Sequence, residues 1–296
     1  MEATDRPLAL IIRTAGTNCD VELAHAFQLA GAEPVTHHLN ELIEHPDLIE
    51  QADLIGFPGG FSYGDDIAAG RILANRMRHR LAAVLQDAVN RGVPMIGICN
   101  GFQVLIKMGL LPDPPTDEQP QAGQHNKQQA TLADNTSGRF IDRWIGVETP
   151  ADSVCIWTKG LSRYDLPIAH GEGRFVPGSN ELLQQWQSKG QVALRYASMT
   201  TGVDVEQANV DVISNPNGSV DDIAAVCDSK GLILGLMPHP ERFIHKTNHP
   251  MWTRLSANTQ NDDASDSPPG LKMFENAVEH IKQVKAAKLQ ASVEVR

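Results

Sequence analysis

The feature that most restricts how this chain can fold is a short apolar segment that ends in a glycine-flanked cysteine. The segment from Val93 to Ile98 is apolar and contains β-branched residues, which is typical of a buried parallel strand. It runs through Cys99 to Gly101 with the order Gly-Ile-Cys-Asn-Gly, and a helical pattern follows from Phe102 to Met108. Glycines two residues on either side of Cys99 permit close approach of the backbone. The sequence therefore predicts a thiol raised on a tight strand-to-helix turn.

A cysteine at this position has two interpretations. The partial positive charge of a helix N-terminus favours the thiolate, so Cys99 would be an activated nucleophile if a base stood beside it. Alternatively, Cys99 is a buried core residue, because free cysteines are among the most frequently buried side chains. The segment by itself leaves both interpretations open.

A second apolar segment supplies a candidate base. Leu232 to Met237 reads as another buried strand, and the prolines on either side of His239 hold the backbone extended. Residues two apart in an extended segment face the same way, so His239 and Glu241 project together. A carboxylate beside an imidazole fixes its tautomer and stabilises the imidazolium. With Cys99, the pair predicts the nucleophile, base and orienting group of covalent acyl transfer.

Two further segments extend this candidate site. Asp53 to Phe57 reads as a strand that leads into Gly59 and Gly60, which places backbone N–H groups where ligands bind in open α/β sheets. One of these N–H groups, together with that of Asn100, would form an oxyanion hole. Gln103 lies one helical turn beyond Cys99 and either binds a substrate amide or carboxylate or is an ordinary polar helix residue.

The cysteine, histidine and glutamate in this order, each after an apolar strand, resemble the class I (triad) glutamine amidotransferases. The resemblance implies that Cys99 is the nucleophile, His239 the general base and acid, and Glu241 its orienting partner. It also implies that L-glutamine is hydrolysed to glutamate and ammonia through a cysteine thioester. Gly59, Gly60, Asn100 and Gln103 would then bind the substrate or its oxyanion.

Several motifs resemble one branch of that family, the glutaminase component of phosphoribosylformylglycinamidine synthase. They are GTNCD at 16–20, PGGFSYGD at 58–65 and AHGEGRF at 169–175. The last motif is expected near the glutamine pocket or at a partner interface. The resemblance implies partners, a large ATP-using synthetase subunit and a small third subunit, that convert formylglycinamide ribonucleotide to the amidine. ATP and magnesium are expected on the synthetase subunit, and no cofactor or metal on this chain.

The order of the elements predicts an α/β fold. Leu8 to Ile12, Asp20 to Leu29 and Ala32 to Leu39 read as strand, helix and strand, which implies a parallel, right-handed unit. We expect a mostly parallel central sheet flanked by helices, flavodoxin-like by resemblance to the class I amidotransferases, with an antiparallel excursion. The strands expected in the second half are Trp144 to Glu148, Ser153 to Thr158, Ile168 to Gly171 and Val192 to Tyr196.

The chain is expected to form a single amidotransferase domain over residues 8–285, with residues 286–296 as a C-terminal tail. Two polar stretches, about 112–129 and 253–270, read as exposed insertions because their composition cannot bury a core. A long helix is expected from Ile67 to Arg91, and a closing amphipathic helix from Leu271 to about Lys285.

Composition excludes several classes of function. The formal net charge is -11 and no long basic cluster occurs, which argues against a nucleic-acid partner. No stretch approaches the roughly 20 apolar residues that cross a bilayer, and the N-terminus lacks the apolar run of a signal peptide. The expected location is therefore cytoplasmic, without a membrane partner.

The remaining cysteines and histidines are expected to be structural. Four cysteines without Cys-x-x-Cys spacing argue against both a zinc site and a disulfide scaffold. Cys19 is the rival nucleophile but lacks the tight glycine turn of Cys99. The histidines at 37, 38 and 45, and those at 245 and 249, do not form a set of four ligands and are expected to be solvated surface residues.

Two other functions compete with this interpretation. A glutaminase or γ-glutamyl hydrolase that acts alone, or one that serves a different acceptor, would cleave glutamine rapidly without the synthetase. A binding subunit that has kept the fold without catalysis would tolerate replacement of Cys99 by alanine.

Overall fold

The computed structural model of the protein describes residues 6–113, 128–199, 214–254 and 267–294. Most of both polar stretches lies outside these ranges. The strands are β1 (Leu8–Arg13), β2 (Glu33–His38), β3 (Leu54–Phe57), β4 (Met95–Ile98), β5 (Ala130–Ala133), β6 (Ile141–Glu148), β7 (Arg163–His170), β8 (Arg174–Pro177), β9 (Val192–Ala197), β10 (Ile223–Cys227) and β11 (Ile233–Leu236). The helices are α1 (Asp20–Leu29), α2 (Leu39–Glu44), α3 (Asp47–Glu50), α4 (Arg71–Arg80), α5 (Ala82–Asn90), α6 (Asn100–Met108), α7 (Asn180–Ser188) and α8 (Pro269–Glu294).

Nine strands form one mixed sheet in the order β2-β1-β3-β4-β11-β10-β9-β6-β7. The first five are parallel to one another, and the last four continue the sheet as an antiparallel arm. β3, β4 and β11 are buried along their whole length, as expected for strands covered on both faces by helices. The expected α/β architecture with a central parallel sheet and an antiparallel excursion is confirmed.

The carboxyl ends of three neighbouring strands meet at one edge of the sheet. β4 pairs in parallel with β3 on one side and with β11 on the other. The residues that follow these strands therefore come together: Gly59 after β3, Cys99 after β4 and His239 after β11. In open α/β sheets this edge is where ligands bind.

Helix α6 packs unusually close to the sheet because of glycine. A Cβ atom on Gly101 would lie 2.0 Å from the carbonyl oxygen of Phe57, and one on Gly97 would lie 2.7 Å from the carbonyl oxygen of Gly101. Distances this short are not seen for real Cβ atoms, so a side chain at either position would push the helix away from the strands. The two glycines that flank Cys99 thus fix where the helix begins.

Two elements close the molecule around this edge. The sheet's last strand, β7, returns to this edge, where the carbonyl oxygen of Pro167 accepts the N–H of His239 at 2.8 Å. Helix α8 begins against the same segment, since a Cβ on Gly270 would lie 2.2 Å from the carbonyl oxygen of Pro240. Phe274 of α8 is fully buried and packs edge-on against Phe27 at 5.1 Å between ring centroids.

The prediction of one long helix from Ile67 to Arg91 is wrong. The structure has two helices there, and α4 begins only at Arg71, after Gly70 in a left-handed conformation with φ of 70°. The chain breaks again at Leu81, whose φ of -127° is not helical. The break between α4 and α5 follows from burial. The polar residues at 78–80 interrupt the helical spacing of apolar residues, and the turn after them places the side chain of Leu81 in the core.

The strand expected from Ser153 to Thr158 is also wrong. Its backbone N–H groups bond to two different loops, Val154 to Gly190 and Ile156 to Gly231, and form no ladder with a described strand. The apolar pattern reflects a loop that buries Trp157, whose indole N–H donates to the carbonyl oxygen of Leu232 at 2.9 Å. Alternation of apolar and polar residues within a short segment does not distinguish a strand from a loop that buries every second side chain.

Helix α8 runs past the expected boundary at Lys285, and residues 286–294, expected as a tail, continue it. Its buried side chains are confined to the first half, and its later residues are mostly exposed. Among the described residues, no helix is both long enough and apolar enough to cross a bilayer.

Candidate active site

Cys99 occupies a strained turn between β4 and α6. Its φ of 51° and ψ of -105° lie outside the helical and extended regions, and positive φ is uncommon for a residue with a side chain. The turn is held on both sides: the N–H of Cys99 donates to Leu236 in β11 at 2.8 Å, and its carbonyl oxygen accepts the N–H of Gln103 at 3.1 Å. The side chain is therefore raised at the N-terminus of α6, as the sequence predicts.

His239 and Glu241 follow β11 and interact directly. The extended backbone expected for this pair is wrong, because Pro240–Arg242 form a 3₁₀ turn, which a proline at its first position favours. Nδ1 of His239 lies 2.6 Å from Oε1 of Glu241, and both side chains are buried. The second ring nitrogen, Nε2, makes no hydrogen bond with any residue that the structure describes. This arrangement leaves Nε2 available for a proton from a thiol or a substrate.

The thiol and the imidazole meet in one cavity of about 460 Å³. They meet beside Gly59, where a Cβ atom would lie 2.8 Å from Cε1 of His239 and 3.6 Å from Cβ of Cys99. Burial alone would lower the pKa of His239, but the charge of Glu241 and the nearby sulfurs of Cys19 and Cys99 raise it well above its ordinary value. The geometry thus favours an imidazolium beside sulfur.

The peptide between Gly59 and Gly60 is oriented for an oxyanion hole. The carbonyl oxygen of Gly59 accepts the N–H groups of Asn18 at 3.4 Å and Cys19 at 3.3 Å. Because the C=O and N–H of a trans peptide point in opposite directions, the N–H of Gly60 faces away from these donors. Gly60 lines the cavity, so its N–H is a better candidate than that of Gly59.

Asn100 and Gln103 belong to a buried network on the cavity floor. The amide nitrogen of Asn100 donates to Gln103 at 3.0 Å and to Asp65 at 3.1 Å. Gln103 in turn donates to the carbonyl oxygen of Glu172 at 2.6 Å. Gln103 lines the cavity as expected for substrate contact, but its amide is already used to join α6 to the segment after β7.

Cys19 lies closer to the catalytic groups than its expected structural role implied. It is the residue before α1, and its sulfur, a nitrogen of His239 and a carboxylate oxygen of Glu241 lie within 4.8 Å of one another. A guanidinium nitrogen of Arg242 contacts the sulfur at 3.1 Å, and burial raises the pKa of this thiol. A sulfur, an imidazole and a carboxylate are ligands that a soft divalent cation accepts, although the hydrogen bond between His239 and Glu241 already engages both of those side chains.

The motif at 169–175 forms part of the cavity wall. The carbonyl oxygen of Ala169 lies 3.6 Å from the sulfur of Cys99, and His170 and Glu172 also line the cavity. Asp65, Arg139, Phe140 and Arg242 border the same cavity but are not among the predicted site residues. Asp65 ends the motif at 58–65, and Arg242 directly follows Glu241, so sequence signals for these two residues exist.

Among the histidines expected on the surface, His249 is the exception. Its ring is buried, lies 4.4 Å from the ring of Trp144 and is 3.5 Å from a carboxylate oxygen of Asp165. His37 instead pairs with Glu41 on the outside of the molecule at 3.0 Å. The expectation of a solvated surface is therefore wrong for His249, because an imidazole buries readily once an acid and an aromatic ring surround it.

Comparison with known proteins agrees with this geometry. The family model of the CobB/CobQ-like glutamine amidotransferase domain matches residues 6–281. Phosphoribosylformylglycinamidine synthase subunit PurQ of Dehalococcoides mccartyi is 41% identical over 275 residues, which cover 93% of this chain and 98% of the relative. The PurQ subunit of Treponema denticola is 44% identical over 243 residues, or 80% of this chain and 88% of the relative.

The fold is also similar to a chain in the structure of PurLQS from Thermotoga maritima. That chain matches with a TM-score of 0.66 and 28% identity, over 93% of this chain and 99% of the other.

Proposed function

This chain belongs to the CobB/CobQ-like glutamine amidotransferases and, within them, to the PurQ subunits of phosphoribosylformylglycinamidine synthase, and on that premise we propose how its residues act. It is the glutaminase subunit of that synthase in purine biosynthesis. The observation that carries the residue assignment is the His239 to Glu241 pair, 2.6 Å apart, in contact with the cavity that holds Cys99.

The first half of the reaction forms a thioester. The Cys99 thiolate attacks the γ-carbonyl carbon of glutamine, and the developing oxyanion accepts hydrogen bonds from the N–H groups of Gly60 and Asn100. Collapse of this adduct breaks the C–N bond, and the protonated His239 supplies the proton that the leaving nitrogen needs. Glu241 keeps the imidazole in the orientation that serves both steps.

The second half hydrolyses the thioester. His239, now neutral, takes a proton from water, and the resulting attack breaks the C–S bond, releases glutamate and restores the Cys99 thiolate beside the imidazolium. Gln103 contributes by holding the segment after β7 against α6 and by contacting the glutamine side of the cavity. The chain requires no metal or cofactor for these steps.

The ammonia is used by partner proteins. The similar Thermotoga chain is part of PurLQS, which supports a large synthetase subunit and a small third subunit as partners of this chain. ATP and magnesium would bind the synthetase, which converts formylglycinamide ribonucleotide to formylglycinamidine ribonucleotide. A cytoplasmic location follows from that role.

Reconstitution tests this proposal directly. The purified chain is mixed with the large synthetase subunit and the small third subunit. Amidine formation is then measured with glutamine or with ammonium as the nitrogen source. We expect both to support synthesis, and glutamine cleavage to accelerate in the complex. Equal cleavage with and without the partners would instead indicate a glutaminase that acts alone.

A further inference from the structure

His170 stands beside the reacting sulfur, yet the mechanism above gives it no role. It ends β7, is 2% exposed and lines the cavity that contains Cys99 and His239. The preceding residue, Ala169, places its carbonyl oxygen 3.6 Å from the sulfur of Cys99. His170 therefore lines the cavity that the reacting end of the substrate must enter.

The hydrogen bonds of Asn135 fix the tautomer of His170. The amide nitrogen of Asn135 donates to the carbonyl oxygens of Arg139 and His170, both at 2.9 Å, which assigns its orientation. Its Oδ1 is therefore an acceptor, and it accepts the N–H of Gly173 at 3.2 Å and contacts Nδ1 of His170 at 3.1 Å. Nδ1 must carry the hydrogen, so Nε2 carries a free lone pair.

One edge of the His170 ring is packed against neighbouring residues, and Nε2 lies on the other edge. A Cβ on Gly173 would lie 2.3 Å from both Nδ1 and Cε1 of His170, so this edge is packed against Gly173 and Asn135. Nε2 has no hydrogen-bond partner among the described residues. An unpartnered acceptor that is this deeply buried requires a donor, because a buried polar group left unpaired costs stability.

The ring is also unable to act as an acid at neutral pH. Burial, followed by the nearby charge of His239, lowers the pKa of His170 to about 4. It therefore differs from His239, whose pKa is raised. Ammonia is a stronger base than imidazole and would take a proton from an acidic neighbour, after which it would no longer be a nucleophile. A neutral His170 that only accepts a hydrogen bond leaves the ammonia unprotonated.

We propose that Nε2 of His170 accepts a hydrogen bond from the nitrogen that leaves glutamine and holds it as neutral ammonia until it passes to the acceptor enzyme. When the C–N bond breaks, its electron pair stays on nitrogen and His239 supplies one proton. The nitrogen then has three N–H donors, and His170 neither gains nor loses a proton. This assignment rests on the proposed function, since only a chain that delivers ammonia needs such a residue.

Two substitutions separate the two ring nitrogens. In His170→Asn the side-chain amide nitrogen takes the place of Nδ1 and keeps the bond to Asn135, but nothing replaces Nε2. In His170→Gln the longer amide reaches the position of Nε2. We therefore expect the first variant to lose the acceptor and the second to restore it in part.

The measurement is the number of glutamates formed per amidine in the reconstituted complex. His170→Asn should raise this ratio about 2- to 10-fold, as expected for the loss of one neutral hydrogen bond, while the KM for glutamine and ammonium-dependent synthesis stay unchanged. His170→Gln should return the ratio toward that of the unmodified complex. His249→Asn is the matched control, because His249 is equally buried but does not line the cavity.

Three results would overturn the proposal. The ratio could remain at one glutamate per amidine in His170→Asn, or rise equally in both His170 variants. The change could also appear only as a higher KM for glutamine, which would assign His170 to the substrate instead of the departing ammonia. Failure of the proposed function itself is distinct, because the unmodified complex would then fail to use glutamine for synthesis.

Discussion

Two cysteines precede helices beside the same imidazole, and comparison of their surroundings supports one of them, Cys99, as the proposed nucleophile. Cys19 lies between β1 and α1, and Cys99 lies between β4 and α6. Both are buried, both stand at a helix N-terminus, and both sulfurs raise the pKa of His239. Helix position and proximity to the base are therefore shared by the two thiols.

The two cysteines differ in backbone conformation. Cys99 has a φ of 51°, enforced by the close packing of Gly97 and Gly101, whereas Cys19 has an ordinary φ of -106° after a longer turn. The sulfur of Cys19 is occupied by Asn18 at 3.2 Å and Arg242 at 3.1 Å. A strained turn, more than a nearby base, thus distinguishes the proposed nucleophile from Cys19. Substitutions and chemical labelling test this conclusion, in order of decreasing effect.

Replacement of the Cys99 sulfur should have the largest effect. Cys99→Ala removes the atom that bonds to glutamine, so glutamine-dependent synthesis by the complex should fall by about 10⁴-fold or more. Ammonium-dependent synthesis should be unchanged, because it bypasses this chain. Substantial remaining glutaminase activity would show that Cys19 or another group substitutes as nucleophile, and the comparison would fail.

Glu241→Gln should have the next largest effect. The substitution keeps the shape of the side chain but removes the charge that supports the imidazolium, so kcat should fall by about 10²- to 10⁴-fold. Steady-state glutaminase assays of the complex measure it. An unchanged kcat would mean that the charge of Glu241 does not support the imidazolium during turnover.

The same variant has a pH signature in stability. Although burial acts to lower the pKa of His239, Glu241 contributes to raising it above its ordinary value. A raised pKa stabilises the folded state below the unfolded pKa, and that contribution is lost as pH rises through the folded pKa. The difference in Tm between the unmodified chain and Glu241→Gln should therefore be largest at mildly acidic pH and shrink in alkali. A difference independent of pH would contradict this.

Gly101→Ala tests the packing that enforces the strained turn. The added Cβ would meet the Phe57 carbonyl oxygen at 2.0 Å, so the free energy of unfolding should fall by about 3 kcal/mol or more. Gly160→Ala is the control: its φ is 77° but nothing lies within 4 Å, so it should cost about 1 kcal/mol. Urea unfolding measures both. Equal losses would mean that contact with β3 does not set the position of α6.

Alkylation compares the two thiols directly. Burial raises the pKa of Cys19, and Asn18 and Arg242 engage its sulfur, so Cys99 should react with iodoacetamide at least about tenfold faster. Peptide mass spectrometry over a time course gives the two rates in one sample. Faster modification of Cys19 would indicate that Cys19, and not Cys99, is the more reactive thiol.

Cys19→Ala should have the smallest effect. It removes one contact of Arg242, which keeps its 3.4 Å contact with Glu22, so kcat should change by less than about tenfold. Cys155→Ala is a matched control, because Cys155 is buried outside the cavity. A loss comparable to that of Cys99→Ala would show that Cys19 takes part in the chemistry.

The catalytic end of the fold could be predicted from sequence because it depends on local rules. The strand before Cys99 and the turn at Gly101 follow from an apolar run and from glycines within a few residues. The contact between His239 and Glu241 is also as expected, although the backbone between them is a 3₁₀ turn and not extended. Parallel pairing then brings strand ends to one edge. Local patterns therefore determined both the elements and the residues that meet there.

The expectations that were wrong depend on contacts between distant segments. The break at Leu81 and the loop that buries Trp157 are set by the surfaces they pack against, which no local pattern reveals. The same holds for Cys19: its place beside His239 depends on how the β1 turn packs on Gly59. The tautomer of His170 likewise requires the partners of Asn135, and no motif in the sequence gives those.

The pairing of β4 with β11 joins parts of the polypeptide that are synthesised at very different times. Met95 aligns with Ile233, and the imidazole lies only a few residues further on. A chain synthesised only as far as α6 therefore contains Cys99 without His239. Both segments must be present before the cavity that contains the thiol and the imidazole can form.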